Sequence, residues 1–170
     1  MPELIAAELL ADLPPAELAA AFRPLFEESD WLAGRLAGRR FGTWDEVIAA
    51  GDALLQEAND AEKAAILRSH PRLGTPPADL RARSETSWRE QGGQRNGAPD
   101  VLDQLAAAND RYEARFGFPF VDWVAGRPLQ EMVAVIDSQL SSDPAAELSR
   151  GCRAIVDIGR DRIKKLEGEH

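Results

Sequence analysis

Residues Phe116-Gly117-Phe118-Pro119-Phe120 constrain this chain more than any other stretch: they place three of its six phenylalanines in five positions. A helix does not continue through them. Relative to alanine, glycine costs a helix about 1 kcal/mol and proline about 3 kcal/mol. Pro119 also pushes Phe118 toward extended backbone. Three large aromatics nevertheless belong in an interior rather than in a solvated loop. The segment is therefore expected to be irregular and buried at once. Its N–H and C=O groups then lack regular partners, and interiors leave few such groups unpaired. Either neighbouring side chains and water satisfy them, or they face a pocket in which a polar ligand does.

The surroundings are expected to be helical. The chain has 170 residues, which suits one domain and buries roughly 70% of the unfolded surface. Alanine and leucine are abundant, valine, isoleucine and threonine are sparse, and no alternating run of any length occurs. That balance favours helices over strands. The expected fold is all-α: a single-domain bundle of about eight or nine helices over residues 1–170, with 167–170 frayed.

Composition also excludes several functions. The formal charge is −9, spread through helical stretches with no basic patch, so nucleic acid is not an expected partner. Cys152 is the only cysteine, and His70 and His170 are the only histidines. An intramolecular disulfide is thus impossible, and no metal-ligand cluster is expected. No signal peptide or membrane-spanning run is apparent. The final Glu167-Gly168-Glu169-His170 is not a Ser-Lys-Leu type of address. Cytoplasm is the default expectation.

Residues 3–11 form a short apolar helix candidate, broken by Pro14-Pro15. A second helix opens near Ala16, with Leu18, Phe22, Leu25 and Phe26 as its stripe. Trp31, Leu32 and Leu36 continue the apolar pattern toward Gly38. Thr43 and Glu46 have capping-box spacing ahead of Trp44, Val47, Ile48, Leu54, Leu55 and Ala58. A short helix over 61–69 stops at Pro71, residues 71–83 read as loop, and 84–91 as a short helix ended by Gly92-Gly93. Leu102, Leu105, Asn109, Tyr112 and Phe116 share one helix face running into the aromatic segment. Pro128 opens another helix, and Ser141-Ser142-Asp143-Pro144 opens the last, to about Leu166.

Few residues suggest chemistry. His70 lies one turn past Ile66 and Leu67 on an apolar face, and Pro71 fixes it at the helix's C-terminus. The negative end of the helix dipole favours an imidazolium there, which suits an acid catalyst. The alternative is a core histidine bonded to a carbonyl. Ser87, Glu90 and Gln91 are spaced to share one helical face, where hydroxyl, carboxylate and amide would grip a small polar molecule. Ser87 and Glu90 equally have the spacing of a capping box. Cys152 reads as core. On the last helix Leu148, Cys152, Ile155, Gly159, Arg162 and Leu166 form one stripe. Arg162 therefore enters from the buried side, with space left by Gly159. It either lines a pocket or braces a buried acid or a helix end. Arg160 falls on a more polar face.

Several of these motifs follow one another in a recognisable order. They are Phe26-Glu27-Glu28-Ser29-Asp30-Trp31, His70-Pro71 with Leu73, Ser87 with Glu90-Gln91, Asn109 with Tyr112, Phe116 to Phe120, and Arg162-Ile163. The set resembles the 2-oxo-4-hydroxy-4-carboxy-5-ureidoimidazoline (OHCU) decarboxylases of urate breakdown, from about Pro14 to Leu166. The resemblance implies an all-α, cofactor-free enzyme without metal, often homodimeric, that converts OHCU to S-allantoin and carbon dioxide. It implies that His70 is the catalytic histidine and Glu90 the carboxylate paired with substrate. Pro71, Ser87 and Gln91 match substrate-contacting positions. The backbone at Phe120 and Val121 matches the wall that bonds the ring and ureido groups, and Arg162 matches an arginine near the C-terminus. The chain departs from the family pattern at Asp30 and Arg40, where proline is usual, in a shortened segment from Gly92 to Pro99, and near Gln139, where an arginine is common. A related enzyme acting on another ureido or carboxy-imidazole compound, and a non-catalytic helical module, are the competing expectations.

Overall fold

The computed structural model describes residues 4–75 and 99–168. Its elements, in chain order, are a 3-10 helix (Ala7–Asp12) and seven α-helices: α1 (Pro15–Phe22), α2 (Ser29–Leu36), α3 (Trp44–Glu57), α4 (Asp60–Ser69), α5 (Pro99–Phe116), α6 (Leu129–Gln139) and α7 (Pro144–Gly168). The described residues contain no strand, so the fold is all-α. The helix expected over 84–91 lies outside the described residues. The last helix ends two residues beyond Leu166, and Glu169 and His170 also lie outside. No helix among the described residues is long and apolar enough to cross a membrane. The chain divides into two compact units, residues 1–59 with 152–170, and residues 60–151.

In the first unit, the segment expected as a helix over 3–11 is a 3-10 helix that starts at Ala7. Its end is set by the two prolines. Leu13, preceding Pro14, takes extended backbone. Pro15 occupies the first position of α1, where its missing N–H is no loss. The core is built around Phe22, which meets Phe26 edge-on at 6.3 Å and Trp44 at 6.1 Å between ring centroids. Trp44 buries its ring while its indole N–H donates to the carbonyl of Ile5 at 2.9 Å, as a buried indole requires. Trp44 also opens α3. Thr43 caps that helix by accepting from Glu46 N at 3.3 Å. The Glu46 carboxylate reaches back past Thr43 to the N–H of Gly42, at 2.7 Å. The capping box is thus offset by one residue from the pattern its spacing suggests. The space that the sequence leaves at Gly159 is filled by the Phe26 ring, with which an added Cβ would collide.

In the second unit, Tyr112 of α5 is fully buried and organises the aromatic segment. Its ring lies 4.6 Å from that of Phe116, 6.0 Å from Phe118 and 5.3 Å from Phe120. Phe118, Phe120 and Val121 are buried, as expected for this composition. Phe116 is half-buried and Gly117 exposed, because the chain turns outward there before returning. Gly117 takes φ +80°, a conformation open to glycine, and ends α5 by donating to Glu113 O at 2.8 Å. Elsewhere in this unit Asp143 caps α7, accepting from Ala146 N at 3.1 Å. Gly151 lets Leu67 approach within 2.9 Å of where a Cβ would stand.

These contacts set two glycines of the first unit apart. Gly159→Ala forces Phe26 against Phe22 and should cost about 1–3 kcal/mol. Gly34, within α2, has nothing within 4 Å of an added Cβ, so Gly34→Ala should gain about 0.4–1 kcal/mol. Denaturant midpoints of the two variants measure both effects. Equal stability of the two would contradict the packing described for Gly159.

Candidate active site

The second unit holds His70 and the aromatic segment, and both are tied to α5. Ile66 and Leu67 bury the inner face of α4. That helix closes with the Ser69 hydroxyl donating to Ile66 O at 2.6 Å and the His70 N–H donating to Leu67 O at 3.2 Å. Pro71 has no N–H to continue it. His70 therefore stands at the negative end of α4, with only 7% of its surface exposed. This is the placement expected from the sequence.

The residues after His70 are strapped along α5. Arg72 donates to Glu113 through Nε at 2.6 Å and Nη2 at 2.8 Å, and through Nη2 to Asp110 at 2.8 Å. The Glu113 hydrogen bond, aided by Asp110 and opposed by partial burial, raises the Arg72 pKa further above its ordinary value. Asn109, buried on the same helix, donates from Nδ2 to Leu73 O at 2.9 Å. Gly74, at φ +76°, lies so close to Leu105 that a Cβ would come within 2.9 Å of its Cδ1. Successive turns of α5 thus hold residues 72–74 and the turn that carries His70.

The aromatic segment leaves the C-terminal end of the same helix, and arginines account for one of its carbonyls and for three in the residues just after it. Arg68 of α4 donates from Nε to Gly117 O at 3.0 Å, joining His70's helix to the segment. Arg150 donates from Nη1 to Val121 O at 3.0 Å. Arg127 donates to Trp123 O at 2.6 Å and Val124 O at 2.9 Å, and to Asp122 at 2.8 Å. Side chains are therefore the solution for these carbonyls. Among the described residues, no group accepts a hydrogen bond from the N–H of Phe120 or Val121.

Behind the segment lies a buried polar group that the sequence did not single out. The Tyr112 hydroxyl donates to Glu147 Oε2 at 2.5 Å, and Arg150 Nε donates to both Glu147 oxygens at 3.0 Å. Burial, reinforced by Glu147, pushes the Tyr112 pKa well above the usual phenol range. The tyrosine thus remains a donor. The spacing of Glu147 and Arg150 was visible in the sequence, and so was a tyrosine on the apolar face of α5. Their meeting was not.

Arg162 belongs to the first unit. It is 3% exposed and donates from Nη1 to Leu25 O at 3.0 Å and from Nη2 to Glu27 at 3.4 Å. Leu25 lies just past α1, whose end a cation favours. Arg160 is 44% exposed at its side chain and pairs with Asp157. The two arginines thus separate in burial as their helical positions require. Cys152 is buried. Ser87, Glu90 and Gln91 lie outside the described residues, among which no group of three or more His, Cys, Asp or Glu residues is arranged to hold a metal ion.

A sequence model of a family described as OHCU decarboxylase matches residues 11–164. The uric acid degradation bifunctional protein of Bacillus sp. strain TB-90 is 26% identical over 166 residues, covering 95% of this chain and 32% of that protein. The chain thus spans about a third of that relative's length. The 2-oxo-4-hydroxy-4-carboxy-5-ureidoimidazoline decarboxylase of Haloferax volcanii is 27% identical over 149 residues, 84% of each chain. A crystal structure of OHCU decarboxylase in the presence of (S)-allantoin shares the fold, with a TM-score of 0.65, 24% identity, and coverage of 80% of this chain and 89% of that one.

The burial of Arg162 gives a clear contrast in stability. Arg162→Ala removes the buried hydrogen bonds to Leu25 O and Glu27 and should cost about 3 kcal/mol, the scale of breaking a buried pair. Arg160→Ala removes an exposed pair and should stay within about 0.5 kcal/mol of wild type. Urea titration of both variants measures the difference. An unaffected Arg162→Ala midpoint would contradict the buried clasp.

Proposed function

The chain belongs to the OHCU decarboxylase family, and on that premise we propose that it decarboxylates OHCU to S-allantoin. The observation that carries this reading is the shared anchoring of two features on α5. His70 is buried at the end of α4, and the turn it heads is held by Arg72, Asn109 and Gly74. The Phe118–Val121 segment is held on the same helix by Tyr112. A hydrogen-bonding side chain and a buried backbone with two N–H donors are what a small polar heterocycle needs.

The chemistry requires little more. The carboxylate of OHCU is attached to a carbon beside a ring C=N. When the carbon–carbon bond breaks, carbon dioxide leaves and the electron pair moves into that C=N. A proton delivered to one face of the former C=N carbon, which carries the ureido group, then gives a single enantiomer of allantoin. The hydroxyl on the carbon that lost carbon dioxide gives up its proton to become a carbonyl. The protein orients the carboxylate, disperses the developing charge with fixed donors, and places an acid. In this proposal His70 supplies a proton or hydrogen bond, and Glu90 pairs with the substrate. Pro71, Ser87, Gln91 and the backbone at Phe120 and Val121 hold it. Arg162 takes part by family resemblance, beside its hydrogen bonds to Leu25 and Glu27.

The same proposal includes one OHCU-decarboxylase-like domain over the whole chain, a cytoplasmic location, and a homodimer. The family match, which contains residues of both units, supports the first. The family resemblance supports the last, and a sedimentation mass of one 18.6 kDa chain would remove it.

The test generates OHCU from urate in place, adds the protein, and follows the optical activity of the allantoin. Spontaneous decay gives a racemate, and the enzyme should give the S enantiomer. His70→Asn should keep the fold and lose enantioselective turnover by at least about 100-fold, the scale of general acid catalysis. A racemic product with wild-type protein would refute the function, and wild-type turnover by His70→Asn would remove His70 from it.

A further inference from the structure

One buried polar group of the second unit has no part in the proposed chemistry, yet it converges on the proposed substrate wall. Its centre is Glu147, a carboxylate with 2% of its side chain exposed. Tyr112 and Arg150 both donate to it. From there Arg150 reaches three consecutive residues in three different ways. Its guanidinium carbon lies 4.5 Å from the centroid of the Phe120 ring. Its Nη1 donates to Val121 O at 3.0 Å. The same nitrogen stands 3.9 Å from Asp122 Oδ1. Tyr112 meets this stretch too, packing edge-on against Phe118 and Phe120.

Stability alone is a poor explanation for such a group. Buried ion pairs are often replaced by apolar residues of similar volume at no cost. What an apolar replacement cannot do is fix a carbonyl and a ring at once. A guanidinium can, because its fork is planar and rigid and its face stacks on aromatics. Lysine would keep the charge and lose both properties.

We propose that Arg150, oriented by Glu147 and Tyr112, is a positioning residue that sets the Phe120–Val121 backbone for substrate binding. This deepens the function proposed above and rests on it. Arg150 acts on that wall through the Phe120 ring and the Val121 carbonyl. Loss of its hold therefore loosens binding of substrate and transition state alike, and that signature is a raised KM with kcat nearly kept.

The experiment measures turnover per folded molecule for wild type, Arg150→Gln, Arg150→Lys and Tyr112→Phe, together with amide hydrogen exchange at Phe120 and Val121. Arg150→Gln should raise KM on the order of tenfold, change kcat less than about threefold, and speed exchange at both amides. Arg150→Lys should resemble Arg150→Gln, since the fork is lost. Tyr112→Phe keeps every ring contact and should shift KM the same way by a smaller factor, at least about threefold. A KM within about twofold of wild type for Arg150→Gln overturns the proposal. If that variant does not fold, the same limit applied to Tyr112→Phe decides. If wild-type protein has no turnover, the proposed function has failed, and unchanged amide exchange in the variants then overturns the positioning role separately.

Discussion

A buried carboxylate and phenol, with a half-buried guanidinium, decide how the aromatic segment of the second unit is held. Glu147 accepts from Tyr112 and from Arg150, so its charge is offset by an arginine and its lone pairs are engaged. An unpaired carboxylate there would be far too costly to keep. Each partner then acts on the segment. Tyr112 packs edge-on against its Phe118 and Phe120 rings, and Arg150 takes the carbonyl of Val121. A backbone interrupted by glycine and proline has no ladder of its own. Here side chains supply the order that a helix would otherwise give.

Helix α5 extends the same order to His70. Leu105, Asn109, Asp110, Tyr112 and Glu113 lie along about two turns and serve both neighbours. Arg72, Leu73 and Gly74 follow His70 and meet Asp110, Glu113, Asn109 and Leu105. The rings of Phe116, Phe118 and Phe120 meet Tyr112. Arg68, two residues before the histidine, closes the circuit on Gly117 O. The result is a histidine turn and a backbone wall referenced to one rigid element. Functional groups held on helices keep their geometry better than those on free loops.

Much of this was readable in the residues. Helical spacing, proline breaks and the Thr43 cap placed α1 to α4, α6 and α7 closely, because those signals are local. The inward side of His70 and the contrast between Arg162 and Arg160 followed from the same periodicity. The 3-10 geometry of Ala7–Asp12 did not, since short apolar runs do not distinguish the two helix types. The partners of Tyr112 and Arg72 were equally hidden. Tyr112 on an apolar face demands an acceptor, but nothing local says that it stands 35 residues away at Glu147. Arg72 sits in a stretch that reads as loop, and its acids are 38 and 41 residues distant. Long-range pairing of charges is set by how helices pack, which a one-dimensional pattern does not carry. The backbone of the aromatic segment was correctly seen as needing partners. Arginines as the donors to Gly117 O and to the carbonyls just after the segment came only from the structure.

The central claim is that His70 and the Phe120–Val121 backbone bind one small ligand between them. A crystal structure of the protein with (S)-allantoin tests this directly. The account predicts the ligand within hydrogen-bonding distance of the His70 imidazole and of a backbone N–H at Phe120 or Val121. Allantoin bound at a site that touches neither, or His70 turned away from a ligand seated on that backbone, would contradict it.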